Sequence, residues 1–154
     1  MSPEQVVLVQ ESFKKVKPIS EVAAQLFYGR LFEMAPQVKP LFKQADMEEQ
    51  GRKLMQTLAF VTAGLTQLDT LLPVVEALGK RHVGYGVQDE HYALVGAALI
   101  WTLEQGLGEA FTPEVKEAWG EAYTLLAGVM QGEFQLALDG FHGQTTAEMH
   151  GDHR

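Results

Sequence analysis

The 154-residue sequence has no cysteine, which excludes a disulfide framework, a thiolate zinc site and an iron–sulfur cluster. Positive charge is scarce. Twelve Lys and Arg stand against 20 Asp and Glu, a net charge of −8, and no basic block is longer than a pair. Such a chain has no electrostatic footprint for nucleic acid or for an anionic membrane surface. No apolar run is long enough to span a bilayer, and the start, Ser2-Pro3-Glu4-Gln5, has neither the basic nor the apolar segment of a secretory leader. The expected location is therefore cytoplasmic. Strand signals are nearly missing too, because no alternating Val/Ile/Thr segment is bounded by turn residues. Catalytic signatures are equally sparse. There is no HExxH, no His-x3-His spacing, no P-loop and no GxSxG elbow. Glu48-Glu49 is explained by the macrodipole of a helix start, and Gly84-Tyr85-Gly86 lacks the strand that precedes a phosphate-cradling loop.

What is present is helix. With 46% hydrophobic residues the chain can bury one sizeable core. Ser2, with Pro3 and Gln5 after it, predicts a capped helix to about Lys17, and Ser20 is the expected cap of a second helix through Met34. Pro36 restarts the chain for a short turn ending near Phe42. Asp46 with Glu49 predicts the start of a long helix whose apolar positions run Met47, Leu54, Leu58, Val61, Leu65 and Leu68. A short helix with Pro73 in its first turn is expected to reach His82 or Val83. Asp89 opens another, ending at Gly106 to Gly108, and Thr112-Pro113-Glu114 opens a last one to about Leu138. The fold class is all-α, with one domain over residues 1–138. Residues 139–154 form a polar tail too poor in apolar groups to offset its ordering entropy, so disorder is expected there.

Five polar side chains interrupt apolar stripes. His82 follows Leu78, Val75 and Leu71 at helical spacing. Tyr28 lies among Ala24, Phe27, Leu31 and Phe32, Gln50 precedes Leu54 by one turn, and Tyr92 is followed by Val95 and Leu99. Glu133 continues the stripe Val115, Trp119, Ala122, Leu126, Val129 and Leu136. Each has an ordinary alternative: a core histidine bonded to a carbonyl, core tyrosines with satisfied hydroxyls, a glutamine exposed in a helix's first turn, or a glutamate facing water. Leaving one buried polar group unpaired costs about 1–3 kcal/mol. Taken together, one histidine on a buried face opposite a tyrosine and a glutamine, in an all-α chain, is the set expected around a haem iron.

The segments LFYGRLFEMAPQVKPLF (26–42), QGRKLMQ (50–56), LGKRHVGYGV (78–87), HYALVG (91–96) and AWGEAY (118–123) resemble, in order and spacing, the bacterial single-domain haemoglobins. They are similar to the haem domain of flavohaemoglobins, and the second and third bring the chain nearest to the globins of acid-loving thermophilic methane oxidisers. The resemblance covers about residues 4–136 and implies the globin fold, a three-over-three sandwich of about seven to eight helices enclosing one haem b. It makes His82 the proximal iron ligand and Phe42 the ring wedged on the haem face. Tyr28 and Gln50 become the distal donors, and Leu54 the apolar distal contact. Lys53 would reach a propionate, Leu78, Val87 and Val95 would line the porphyrin, and Tyr92 would hydrogen-bond the ligand histidine. The family's acid in a Tyr–Glu–His network falls in register at Phe134, with Glu133 the neighbouring candidate; if Glu133 does not turn inward, the push on the iron is weaker than in flavohaemoglobins.

These roles imply a protein that binds O2 tightly and releases it slowly, because donors aimed at the outer oxygen atom stabilise the negative charge that gathers there. CO, less polarised, gains less. The reading that follows is a carrier, store or scavenger of O2, leaning away from an enzyme. The alternative is a nitric oxide dioxygenase that turns NO to nitrate with a separate flavin or NAD(P)H reductase, since no such domain follows the last helix. A monomer or weak homo-oligomer is expected.

Overall fold

The computed structural model describes residues 1–43, 45–84 and 89–130, the side chains of 82–84 and 89 excepted. The described residues form six α-helices: α1 (Pro3–Val16), α2 (Ser20–Met34), α3 (Met47–Gly64), α4 (Leu68–Gly84), α5 (Asp89–Leu107) and α6 (Pro113–Met130). Short 3-10 turns occupy Lys17–Ile19, Pro36–Phe42 and Gly108–Ala110, and among the described residues there is no strand.

The caps explain most of the boundaries. The Ser2 side chain accepts from the Gln5 N–H while the Gln5 side chain accepts from the Ser2 N–H, so two of the four orphan donors of α1 are satisfied reciprocally. Asp46 accepts from the N–H groups of Glu48 and Glu49 at the start of α3, but Glu49 turns to Arg52 instead of closing a capping box. Thr112 accepts from the Val115 N–H at the start of α6. Ser20 is a correction: it is the first residue of α2, not its cap, and its hydroxyl donates back to the Lys17 carbonyl at 2.6 Å. The 3-10 turn directly before it supplies that carbonyl.

A second correction concerns the long apolar stripe. It does not continue to Leu68; α3 ends at Gly64, the chain turns through residues 65–67, and Leu68 starts α4. Leu65 is buried and belongs to the stripe, whereas Leu68 is exposed. The Gln67 carbonyl accepts from Thr70 and Leu71 to launch the new helix. Pro73 consequently lies inside α4, in its second turn, on a solvent-facing side where the lost hydrogen bond to the Asp69 carbonyl costs least.

Packing builds two crossed layers. α1, α3 and α4 lie over α2, α5 and α6, with the most extensive contacts between α2 and α5, α1 and α6, α4 and α6, and α2 and α3. The core between them is aliphatic and aromatic, with Val9, Leu71, Val75, Leu103, Trp119 and Val129 almost wholly buried. Trp119 Nε1 donates to the buried Ser12 hydroxyl at 2.8 Å, and Ser12 in turn donates to the Leu8 carbonyl at 2.7 Å. Thus the indole of α6 is satisfied by the backbone of α1 through one hydroxyl. By contrast, α3 and α4 touch at few positions.

Candidate functional site

Tyr28 is buried on α2 and enclosed by three phenyl rings. The Phe27 centroid lies 4.9 Å away, edge to face at 81°, and Phe42 lies 5.5 Å away at 68°. Phe32 lies at 6.0 Å and also packs on Phe42 at 5.4 Å. Phe42 reaches this cluster because the 3-10 turn that begins at Pro36 folds the chain back beneath α2. Of this cluster Phe42 and Tyr28 were legible as site residues; Phe27 and Phe32 were visible only as members of an apolar stripe.

Gln50 meets Tyr28. It stands in the first turn of α3, half-buried, with its N–H on the Asp46 carbonyl at 2.8 Å, so the Asp46 cap fixes where its side chain begins. Burial pushes the Tyr28 phenol above its ordinary value of 10, and a side-chain hydrogen bond with Gln50 pulls it back down. That direction is the one expected when the amide donates to the phenol oxygen. What allows the two helices to approach is Gly51: a Cβ there would stand 2.9 Å from the Cβ of Ala24, one turn before Tyr28. Gly51 directly follows Gln50 in the sequence, but its role depends on a crossing that periodicity does not reveal.

Along α3, Gln50, Leu54, Thr57 and Val61 succeed one another at steps of four, three and four, so they share one face. Leu54 is half-buried against the core, and Lys53 beside it is exposed. Further along this face a hollow of about 190 Å³ opens between α3 and α4, bounded by Thr57, Phe60 and Val61 on one side and Val74, Val75 and Leu78 on the other. Leu78 is half-buried there. His82 lies in α4 four residues beyond Leu78, but its side chain is outside the described residues, as are Val87 and Glu133 altogether.

On α5, Tyr92 is buried and Val95 half-buried against the core. The Tyr92 carbonyl accepts a 2.6 Å hydrogen bond from the Tyr123 hydroxyl of α6. Burial, reinforced by the neighbouring Tyr92, drives the Tyr123 phenol far above its ordinary range. Gly96 makes room for the Tyr123 ring, since a Cβ at that position would stand 2.7 Å from it. Tyr123 is a residue that stripe analysis passed over, although it lies one turn beyond Trp119. A wider open groove of about 720 Å³ runs between α5 and α6, lined largely by small residues such as Gly96, Ala97, Gly120 and Gly128. Its polar lining, Glu104 and Thr124 with Tyr92 and Tyr123, includes neither Tyr28 nor Gln50 nor any residue of α4, so the face of α3 carrying Gln50 remains the candidate site. Among the described residues no group of three or more His, Asp or Glu side chains could hold a bare metal ion. No described helix is long and apolar enough to cross a membrane.

The family model Globin matches residues 25–130. The flavohemoprotein of Rhodopirellula baltica is 35% identical over 135 residues, which cover 86% of this chain and 33% of that protein. The flavohemoprotein of Bordetella parapertussis is 36% identical over the same length and with the same coverage. The chain thus spans about a third of the length of these curated relatives. Among solved structures, an engineered carbene transferase described as a putative nitric oxide dioxygenase from Rhodothermus marinus aligns with a TM-score of 0.76 at 27% identity, covering 90% of this chain and 96% of that one.

Proposed function

Because this chain belongs to the globin family, we propose that it binds haem and holds O2 reversibly, with Tyr28 and Gln50 as the donors that slow its release. The observation that carries this reading is the contact between the buried Tyr28 phenol and the Gln50 amide inside a ring of phenyl groups.

The residues present fit the group. Haem needs an apolar slot, an imidazole on one side and room for a gas on the other. The sparse contact between α3 and α4, the apolar walls of Val61, Val75 and Leu78, and the aromatic edge at Phe42 are the surroundings such a ring requires. His82 of α4 is the ligand we assign, with Phe42, Lys53, Leu54, Leu78, Val87, Tyr92 and Val95 around it and Glu133 as the candidate partner of the proximal histidine. No cysteine exists in the sequence to form thioether links, so the group would be held without covalent attachment, and haem b is the one we assign. When bound, haem supplies an iron centre for diatomic gases and the one-electron chemistry that goes with it.

The chain's own residues then set which gas is held and for how long. A phenol is protonated at neutral pH and burial raises its pKa further, so the Tyr28 hydroxyl remains a donor. If the Gln50 amide donates to the phenol oxygen, the phenol hydrogen is free to point at a ligand, and the amide bond strengthens it. Phe27, Phe32 and Phe42 pack around the Tyr28 ring and leave it largely shielded from water. A charge-assisted hydrogen bond in such a place contributes about 1.5–3 kcal/mol, equivalent to roughly one to two orders of magnitude in release rate. The test is stopped-flow O2 dissociation from hemin-reconstituted, reduced protein. Tyr28→Phe should release O2 about tenfold faster or more, and a rate within about twofold of the parent overturns the assignment.

A second reading is favoured by the names of the relatives: conversion of NO to nitrate. NO plus O2 plus one electron gives nitrate, and side chains do not supply that electron, so the reaction requires a reductase. Sustained nitrate formation from NO and NADH with an added flavin reductase, and its collapse without one, supports this reading over simple carriage. A single turnover whether or not the reductase is present argues against it.

A further inference from the structure

We propose that Gly79 is a positioning residue for the proximal side of the site: its bare backbone seats α4 against α6 and thereby sets how far His82 stands from the Tyr28–Gln50 pair. The proposal rests on the haem reading above.

Among the described glycines, Gly79 is the one whose missing Cβ would strike the backbone of another helix. A Cβ built there stands 2.5 Å from the Cα and 2.7 Å from the carbonyl carbon of Met130, and closer still to its oxygen. At Gly51 the obstacle is one methyl group, and at Gly96 it is the ring of Tyr123. A methyl or a ring edge can yield a little; a helix backbone cannot. The crossing is also dry and tight, since Val75 and Val129 beside it are buried to 2% and 0% exposure. Because α4 packs extensively on α6 and meets α3 at few positions, α6 determines where α4 lies.

His82 follows Gly79 by three residues, a rise of about 4.5 Å along the same helix. Any side chain at position 79 must lift α4 from α6 by roughly 1 Å to restore ordinary van der Waals separation. A helix moves as a body, so position 82 moves with it. Tyr28 and Gln50 stay, because α2 and α3 are held to each other at Ala24 and Gly51, on the other side of the molecule's gap between α3 and α4. One methyl group at Gly79 therefore alters the spacing across the site without touching a residue on either side of it.

The experiment compares the hemin-loaded parent with Gly79→Ala and with Gly120→Ala, a helical position where an added Cβ meets nothing within 4 Å. In ferrous protein, resonance Raman reads the iron–histidine stretch, and transfer to an apoglobin trap reads hemin loss. Gly79→Ala should displace or broaden the stretch and speed hemin loss about tenfold or more, while Gly120→Ala matches the parent. Hydrogen exchange on the parent covers the case in which Gly79→Ala fails to fold: amides of residues 75–81 should be protected together with 126–130. Gly79→Ala within twofold of the parent in both readouts, or α4 exchanging independently of α6 with hemin bound, overturns the proposal and leaves the haem reading intact. A parent that takes up no hemin ends both.

Discussion

Tyr28 shows how one residue's surroundings convert a common side chain into a tuned donor. Its phenol holds its proton more tightly than an exposed tyrosine does, because burial penalises the phenolate more than the Gln50 bond relieves it. The linkage has a definite sign. With the folded value raised above the unfolded one, the unfolded chain loses its proton first as pH rises through 10, so stability is unaffected below that point and falls above it. Tyr123 acts in the same direction. Alkaline unfolding should therefore move to higher pH in Tyr28→Phe, followed by far-UV circular dichroism. An unmoved midpoint would mean that the phenol is not desolvated. A separate residue-scale expectation concerns Ser12. Replacing it with alanine strands the Trp119 N–H in the core, and urea unfolding should show a loss of about 1–3 kcal/mol.

At the scale of the element, the glycines sort by what lies beside them. Gly51→Ala forces a methyl against Ala24 at 2.9 Å and should cost about 1–3 kcal/mol, while also loosening the Tyr28–Gln50 contact. Gly120→Ala, in open space within α6, should instead stabilise by about 0.5–1 kcal/mol, since alanine loses less backbone entropy in a helix. Opposite signs from one substitution, measured by the same chemical denaturation, check the crossing geometry directly. Removing the α3 cap with Asp46→Ala should cost about 1 kcal/mol. Its second effect is on the site, because the first turn of α3 carries Gln50, and a frayed turn lets that amide leave Tyr28.

For the whole molecule, the two layers are joined firmly where α6 meets α1 and α4 and where α2 meets α3, while α3 and α4, neighbours within one layer, touch at few positions and leave a gap between them. A group bound in that gap adds contacts the polypeptide lacks. Hemin should accordingly raise the thermal midpoint of the apoprotein with a concentration dependence set by mass action, about 2.7 kcal/mol at a free concentration 100 times the dissociation constant. Differential scanning calorimetry at several hemin concentrations measures this. A midpoint independent of hemin would show that nothing is gained in the gap.

Much of this is readable in the sequence. The all-α class, the caps at Ser2, Asp46 and Thr112, and the buried faces carrying Tyr28 and Tyr92 follow from local rules, in which three- and four-residue spacing and the first turn's orphan donors suffice. The misplaced boundary at Leu68 arose where one apolar stripe happened to run on past the end of its helix. Which polar groups meet was a different matter: that Gln50 touches Tyr28, that Tyr123 reaches the Tyr92 carbonyl, and that Gly51 and Gly79 are contact points all depend on distances between helices far apart in the chain. Helical periodicity determines which side of a rod is apolar. Only the mutual approach of the rods, set by where a side chain is missing, decides which atoms come within a bond's length.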